Sequence, residues 1–266
     1  MIKLIGIDLD DTLLDTNKII SIENKNAISY AISKGVHVVI ATGRPFFRIK
    51  NYLHELKLDN HDSFVISYNG GIITDGTGEA LYKRFLFNKD EKDEIIEKVK
   101  SLNLHFTVYK DNDIYTEEVL PFIVKQKVFN GITFIHKNMN ELKELEYSNK
   151  IIICEYEDVI EKNRSKVEEL LKDKCMILRS TSIYLELLPL GVSKGNALKF
   201  VEEYLNIDSI DTMAIGDEEN DLPMFKYAKY KVTMKNSNKV LINNATYVTT
   251  SQNESGVGKA IDKFLK

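Results

Sequence analysis

The sequence predicts an α/β fold in which a parallel sheet is interrupted by an inserted α+β domain. Near both ends of the chain, short apolar runs alternate with helical segments, and strands that are separated by helices pair in parallel. The middle of the chain instead shows a helix followed by two strands, twice, which is typical of α+β domains. The parallel domain is therefore predicted to be discontinuous, residues 1–82 with 189–266, and the inserted domain is residues 83–188.

The first segment starts with a strand at Leu4–Asp8, whose apolar residues suit burial on both faces. A helix from Ile22 to about Lys34 follows, because Ser21 is a favourable N-cap and Gly35 a favourable residue after the helix end. The other predicted elements of this segment are a strand at Val36–Ala41, a helix from Arg44-Pro45 to Leu56, a strand at Phe64–Ser67, and paired strands at Ile72–Thr74 and Leu81–Phe87.

The inserted segment begins with a helix that Asn88 caps and that ends near Leu102. A turn signal at residues 110–113 separates two strands that form a hairpin, Leu104–Tyr109 and Ile114–Thr116. The remaining elements are a helix at Val119–Val128, a strand at Ile132–Ile135, a helix at Met139–Leu145, a strand at Ile151–Tyr156, a helix at Val159–Leu171, and strands at Met176–Arg179 and Tyr184–Leu188.

The last segment returns to the alternation of strands and helices. Ser193 begins a helix that ends near Leu205. The further elements are a strand at Thr212–Ile215, a helix at Glu219–Tyr227, strands at Val232–Met234 and Tyr247–Thr249, and a helix at Val257–Phe264. Ligands of parallel sheets bind beyond the carboxyl ends of the strands. Asp8, Thr42 and the Tyr68-Asn69-Gly70 turn all fall at such ends, so the polar residues there are the candidate site.

Composition narrows the class of function. The chain has 266 residues, 43% hydrophobic and 29% charged, which is typical of globular proteins. A net charge of −4 argues against nucleic acid or an anionic membrane as the main partner, so a local cluster must bind any anionic substrate. Cys154 and Cys175 show no metal-binding spacing and are predicted to be buried thiols. With no signal peptide and no apolar run of about 20 residues, we expect a soluble cytoplasmic protein.

Acidic residues follow two of the predicted strands. Asp8 and Asp10 end the first strand, and Asp217 follows the strand at Thr212–Ile215. Buried carboxylates are unfavourable unless a cation or hydrogen bonds compensate them, and oxygen ligands favour Mg²⁺. The alternative for Asp217 is a simple helix N-cap. The acids at both strand ends together favour a metal site.

Two further segments carry groups that suit phosphate. Thr42-Gly43-Arg44 offers a hydroxyl, an unhindered backbone and a guanidinium, although in isolation an ordinary tight turn capped by Thr42 explains it better. Lys194 stands in the first turn of a helix, where the helix dipole disfavours a cation unless an anion binds there. The alternative for Lys194 is a solvated side chain.

Together these segments resemble the haloacid dehalogenase (HAD) superfamily. Asp8-Leu9-Asp10-Asp11-Thr12 resembles its first motif, Thr42 its second, Lys194 its third, and Gly216-Asp217…Asn220-Asp221 its fourth, in the same order along the chain. The long insertion resembles the type IIB (C2B) cap, and residues 187–195, 220–224 and 254–257 resemble the Cof-type sugar-phosphatase branch. The resemblance implies a Rossmann-like catalytic core and an α+β cap that covers the site.

The resemblance also implies a Mg²⁺-dependent phosphomonoester hydrolase. Asp8 would be the nucleophile that forms an aspartyl-phosphate, and Asp10 the general acid and base. The metal would be held by the carboxylates of Asp8 and Asp217 and by the main-chain carbonyl of Asp10. The residues that would bind the phosphoryl group or substrate are Thr42, Gly43, Arg44, Lys194 and Asn220. Asp221 would orient Lys194 or a metal-bound water.

The expected partner is a small phosphorylated metabolite, such as a sugar, nucleotide or cofactor phosphate, bound by a monomer or small homo-oligomer. Possible specificity residues in the cap are Tyr115, Phe122, His136, Arg179 and Tyr184. One position departs from the family pattern, since Lys235 stands where the family usually has glycine. Because glycine tolerates unusual dihedral angles, the local loop and any role of Asn236 are left open.

Rival functions remain at this point. A phosphosugar mutase shares the fold and the first motif, but transfers the phosphoryl group to a second sugar position. A catalytically inactive regulator is not favoured, because all the expected catalytic residues are present. A metal-dependent glycosyltransferase would leave Lys194 and Asp217 without roles.

A calcium-binding loop is a further alternative for Asp8-x-Asp10-x-Thr12. Such a loop needs glycine at its sixth position and glutamate at its twelfth, where this chain has Leu13 and Ile19.

Overall fold

The computed structural model describes residues 1–82, 86–111, 113–118 and 134–266. They form two compact units, Met1–Lys83 with Ser193–Lys266, and Arg84–Val192. The predicted helix at Val119–Val128, which includes Phe122, lies outside the described residues, as do parts of the predicted strands at Leu81–Phe87 and Ile132–Ile135.

The first unit is built on one sheet. Its strands are β1 (Leu4–Asp8), β2 (His37–Ala41), β3 (Phe64–Ser67), β4 (Ile72–Asp75), β5 (Ala80–Tyr82), β14 (Thr212–Gly216), β15 (Tyr230–Thr233) and β16 (Tyr247–Val248). Their order is β16-β15-β14-β1-β2-β3-β4-β5. Pairing is parallel from β16 to β3 and antiparallel for β4 and β5. The predicted Rossmann-like α/β core is confirmed.

Helices cover both faces of this sheet. They are α1 (Ile22–Ser33), α2 (Lys50–Leu56), α6 (Lys194–Leu205), α7 (Leu222–Phe225), α8 (Lys239–Asn244) and α9 (Gly256–Leu265). Ile5 and Ile7 of β1 pack with α1 and α9 on one face, and Leu4 packs with α6 on the other. Burial on both faces explains why β1 is apolar until its last residue, Asp8.

The second unit is an α+β domain, as predicted. Its strands are β6 (Phe87–Asn88), β7 (Phe106–Lys110), β8 (Asp113–Thr116), β9 (Phe134–His136), β10 (Tyr147–Ser148), β11 (Lys150–Cys154), β12 (Met176–Thr181) and β13 (Tyr184–Leu188), and its helices are α3 (Lys89–Ser101), α4 (Met139–Lys143) and α5 (Glu157–Leu171). Six strands pair in the order β12-β13-β11-β7-β8-β9, and β6 pairs with β10. Cys154 and Cys175 are buried and free, which confirms that prediction.

Three predicted elements are wrong in detail. The helix from Arg44-Pro45 is a short 3₁₀ turn, Phe46–Arg48, followed by α2, because the backbone of Pro45 is extended (ψ 152°). The helix at Glu219–Tyr227 is a 3₁₀ turn followed by α7. Phe87 belongs to β6 and pairs with β10, while β5 ends at Tyr82.

No helix of the described residues combines the length and the apolar character that crossing a bilayer requires.

Candidate active site

Asp8 lies in the interior at the carboxyl end of β1. The fully buried residues before it hold its carboxylate away from solvent, with 6% of the residue exposed. Lys194 Nζ donates a hydrogen bond to Asp8 Oδ1 at 2.5 Å. A carboxylate in such a position needs a partner of this kind, because an isolated buried charge is strongly unfavourable.

Lys194 is the first residue of α6, after Ser193, whose side chain caps the helix. Its Nζ also donates to Asp221 Oδ1 at 2.6 Å, and only 1% of the residue is exposed. Burial alone would lower the pKa of Lys194, but the charges of Asp221 and Asp8 raise it above the usual value. The interpretation of Lys194 as a solvated lysine is therefore wrong.

Asp217 and Asp221 follow β14 in a tight turn. Asp221 Oδ2 accepts hydrogen bonds from the backbone N–H groups of Asp217 (3.0 Å) and Glu218 (3.1 Å). A Cβ atom at Gly216 would lie 2.5 Å from Cβ and Cγ of Asp221, so this arrangement requires glycine. The residue that caps the following 3₁₀ turn is Glu218, and the N-cap interpretation of Asp217 is wrong.

Asp8, Asp217 and Asp221 form a cluster of three buried carboxylates, which we call the acidic cluster. Each contributes an oxygen within 4.8 Å of the others. Burial and the charge of Asp221 raise the pKa of Asp8 above its usual range, and the same two causes raise the pKa of Asp217 to about 7. Among the residues that the structure describes, Lys194 is the one cation in contact with the cluster, so the negative charge is only partly compensated.

This donor set fits a divalent cation such as Mg²⁺, which prefers carboxylate and carbonyl oxygens. Thr12 Oγ1 donates to Asp217 Oδ1 at 2.7 Å, and Lys194 occupies Asp8 Oδ1. Within the part of the chain that the structure describes, the second oxygens of Asp8 and Asp217 accept no hydrogen bond. Both oxygens of Asp221 are already occupied by nitrogen donors, which favours Asp8 and Asp217 as ligands.

The side chain of Asp10 binds cations instead. Arg44 donates to both of its oxygens, from Nε at 2.7 Å and from Nη2 at 2.5 Å, and Lys18 Nζ lies 3.0 Å from Oδ1. Burial would raise the pKa of Asp10, but the hydrogen bonds and charge of Arg44 lower it below its usual value. The chain brings Asp10 there in a turn at Leu9–Leu13 whose centre is not helical, since Asp10 has ψ 131° and Asp11 has φ 57°.

The predicted phosphate-binding residues are connected through a residue outside that prediction, Asn69. The backbone N–H of Asn69 donates to the carbonyl of Thr42 at 2.9 Å, and Asn220 Nδ2 donates to Asn69 Oδ1 at 3.1 Å. A Cβ atom at Gly43 would lie 3.2 Å from the amide of Asn69. Thr42 Oγ1 accepts the N–H of Arg44 at 3.1 Å, as a tight turn requires, so its contact with phosphate stays a prediction.

Sequence reasoning gave no role to three residues of this region, Thr12, Lys18 and Asn69, although it placed the turn of Asn69 at a ligand-binding strand end. Thr12 lies within the quoted first motif, but its partner Asp217 is 205 positions away. Lys18 has φ 62° and lies in a turn where Asp15 Oδ1 accepts hydrogen bonds from the N–H groups of Asn17 and Ile19. The Asn-Gly pair directly after β3 is the signal that could have found Asn69, since asparagine tolerates left-handed backbone.

The loop with Lys235 needs no unusual backbone. Lys235 is not among the residues with positive φ, so lysine fits there without strain. The neighbouring Asn236 donates from Nδ2 to the carbonyl of Asp11 at 2.9 Å, and its Oδ1 accepts the N–H of Gln252 at 3.1 Å. Asn236 thus holds the turn that carries Asp10.

Comparison with known proteins identifies the same family that the motifs resemble. A family model of haloacid dehalogenase-like hydrolases matches residues 5–261. The chain is 33% identical to the 5-amino-6-(5-phospho-D-ribitylamino)uracil phosphatase YcsE of Bacillus subtilis, over 99% of this chain and 96% of that protein.

Solved structures show the same fold. A haloacid dehalogenase-like hydrolase from Bacteroides thetaiotaomicron superposes with a TM-score of 0.85 at 29% identity, and both chains are covered completely. The HAD subclass IIB sugar phosphatase BT4131 superposes with a TM-score of 0.82 at 24% identity over 98% of each chain. The predicted haloacid dehalogenase-like fold is thereby confirmed.

Proposed function

The chain belongs to the haloacid dehalogenase-like hydrolases and is a phosphatase, and from this premise we propose that it hydrolyses phosphomonoesters of small metabolites with Mg²⁺. One observation carries the proposal. The acidic cluster and Lys194 meet at the carboxyl ends of β1 and β14, where parallel sheets bind their ligands. Clustered carboxylates suit a cation, and a buried ammonium group beside them suits a phosphoryl oxygen.

Asp8 is the nucleophile in this proposal. A carboxylate oxygen of Asp8 forms a bond to phosphorus while the bond between phosphorus and the alcohol oxygen breaks. The aspartyl-phosphate is then hydrolysed by water, which restores the carboxylate and releases phosphate. Dividing one displacement into two steps lowers the barrier of each.

Asp10 moves the protons. It donates one to the leaving alcohol and removes one from the attacking water. Arg44 and Lys18 stabilise its ionised form in this structure, which suits the base role. For the acid role the carboxyl group must leave Arg44, and we infer that Arg44 then binds the substrate.

Lys194, Thr42, Asn220 and the backbone N–H of Gly43 bind the transferring oxygens. Positioning and charge stabilisation account for most of the catalysis of phosphoryl transfer. Asp221 holds Lys194 in place through the 2.6 Å hydrogen bond.

Asp8, Asp217 and the main-chain carbonyl of Asp10 would hold Mg²⁺. When bound, the ion supplies positive charge that reduces the repulsion between the carboxylate and the phosphate dianion. We also propose that the second unit, predicted as residues 83–188, is the cap that excludes water during the reaction.

A panel of phosphomonoesters tests this function. It should contain hexose phosphates, pentose and ribityl phosphates, and nucleotides, because YcsE is named for a phosphoribitylamino compound. We expect release of inorganic phosphate with Mg²⁺ and none with a chelator. Formation of a phosphate isomer without free phosphate would indicate a mutase, and the absence of turnover for every compound would contradict the proposal.

A further inference from the structure

The turn Tyr68-Asn69-Gly70 after β3 is an unusual feature of the first unit. All three residues have left-handed backbone, with φ of 53°, 56° and 107°, and all three are buried. Left-handed backbone is unfavourable for residues other than glycine and persists where the surroundings enforce it. Two such residues in succession, both buried, therefore point to a functional constraint.

The backbone of this turn holds the loop after β2. Tyr68 N–H donates to the carbonyl of Arg44 at 3.2 Å, and Asn69 N–H donates to the carbonyl of Thr42 at 2.9 Å. These bonds fix the two ends of the Thr42–Arg44 loop against β3. Any residue that adopts the left-handed conformation would keep them, because they use main-chain atoms.

The other two segments of the site also meet this turn. The side chain of Asn69 accepts the hydrogen bond from Asn220 at 3.1 Å. A Cβ atom at Gly70 would lie 2.3 Å from the carbonyl oxygen of Ser193, so the residue before Lys194 packs directly on this glycine. One turn thus contacts the segments of Thr42, Lys194 and Asn220.

We propose that Asn69 is a positioning residue, which sets Asn220 against the Thr42–Arg44 loop so that both reach the same phosphoryl group. The inference rests on the proposed function. Position 69 must adopt φ near 56°, must accept a hydrogen bond from an amide, and must add no charge beside a dianion. Glycine meets the first and third conditions and aspartate the first two, whereas asparagine meets all of them.

Asn69→Gly is the main test, because glycine keeps the backbone conformation and removes only the side chain. Asn206→Gly is the matched control, since Asn206 is an exposed asparagine with φ 53° at the end of α6. We expect kcat/KM for p-nitrophenyl phosphate to fall by about ten- to a hundredfold in Asn69→Gly, in line with the effect of small misplacements. The inhibition constant of inorganic phosphate should rise, with Tm close to that of Asn206→Gly.

A double-mutant cycle separates positioning from a general loss of structure. If Asn69 acts through Asn220, then Asn69→Gly combined with Asn220→Ala should be no slower than Asn220→Ala alone. If the fold-losses in kcat/KM of the two single variants instead multiply in the double variant, the inference is overturned. An Asn69→Gly variant within twofold of wild type with an unchanged inhibition constant would also overturn it.

Asn69→Asp covers the case in which the glycine variant does not fold. Aspartate keeps the acceptor and the backbone preference, so we expect a normal Tm and weaker inhibition by phosphate. Unchanged inhibition in that variant would again overturn the inference. A wild-type protein that cleaves no phosphomonoester would contradict the proposed function itself, which is a distinguishable result.

Discussion

Two groups of three ionisable side chains in the first unit have equally close ligand atoms but different surroundings. The acidic cluster of Asp8, Asp217 and Asp221 brings three ligand atoms within 4.8 Å of one another, and so does a second group formed by His61, Asp75 and Glu79. In the acidic cluster all three side chains are buried, whereas His61 and Glu79 are exposed.

Asp75 is satisfied by its own turn. Its Oδ1 accepts hydrogen bonds from the N–H groups of Thr77, Gly78 and Glu79, each at 2.9 Å, and Oδ2 contacts His61 Nδ1 at 2.6 Å. Burial would raise the pKa of Asp75, but hydrogen bonds from Thr77 and His61 lower it. In the acidic cluster, by contrast, carboxylate faces carboxylate and the pKa of Asp217 is raised to about 7.

The difference teaches how to distinguish structural from functional buried acids. Local N–H donors compensate Asp75, so its charge stabilises a turn and requires nothing from outside. The acidic cluster has more negative charge than its contacts compensate, so a bound cation or a proton would stabilise it. A short distance between ligand atoms does not make this distinction, but the number of donors around each oxygen does.

The largest expected effect separates Asp8 from Asp75. Asp8→Asn keeps the size of the side chain but removes the nucleophile, so turnover should fall by at least about a thousandfold. Asp75→Asn should retain the turnover of wild type. Steady-state assays with Mg²⁺ measure the turnover of both variants. An Asp8→Asn variant with near wild-type turnover would contradict the proposed mechanism.

Lys194→Met should reduce both stability and activity. Removing the ammonium leaves three buried carboxylates facing one another, and breaking a buried ion pair reduces the free energy of unfolding by about 3–5 kcal/mol. Lys18→Met is the control, because 43% of the Lys18 side chain is exposed and exposed pairs contribute at most about 1 kcal/mol. Denaturant unfolding curves measure the difference. Equal losses of unfolding free energy in the two variants would show that the stability of the acidic cluster does not depend on Lys194.

Sequence signals predicted well those elements whose ends are marked locally. Ser21 and Gly35 located α1, and Ser193 located the start of α6, because a cap depends on residues next to it. The order of the acidic strands also predicted that Asp8 and Asp217 would meet, since parallel strands end at one edge of the sheet.

What the sequence did not predict depends on distant contacts. Asp221 folds back on the N–H groups of Asp217 and Glu218 and replaces a regular helix start. The turn of Asn69 was predicted to lie at a ligand-binding strand end, but its contact with Asn220 was not, because that partner is 151 positions away. Phe87 was assigned to the wrong sheet because its partner Ser148 is also distant along the chain, 61 positions away.

Mg²⁺ should raise the free energy of unfolding by less than Lys194→Met lowers it and by more than Asp75→Asn lowers it. Binding to the folded state alone adds about 2.7 kcal/mol at a hundredfold excess over Kd, and the rise in Tm reports it. Asp217→Asn should abolish that rise, whereas Glu79→Gln should leave it unchanged. A rise in Tm that disappears only in Glu79→Gln would show that the ion binds at His61, Asp75 and Glu79, which would contradict the account.

The smallest effect concerns Asp75 and pH. Its folded pKa lies below the unfolded value, so it contributes stability above the unfolded pKa of about 3.9 and loses that contribution as pH falls through the folded pKa. Asp75→Asn should reduce the free energy of unfolding at neutral pH by roughly 1 kcal/mol. The gap between wild type and variant should close in acid, and a gap that widens there would contradict this assignment.

The most direct measurement is the anomalous scattering of Mn²⁺, soaked into crystals as a substitute for Mg²⁺. We predict a peak between the carboxylates of Asp8 and Asp217. A peak only at His61, Asp75 and Glu79, or no peak at the ends of β1 and β14 under conditions that support turnover, would contradict the account.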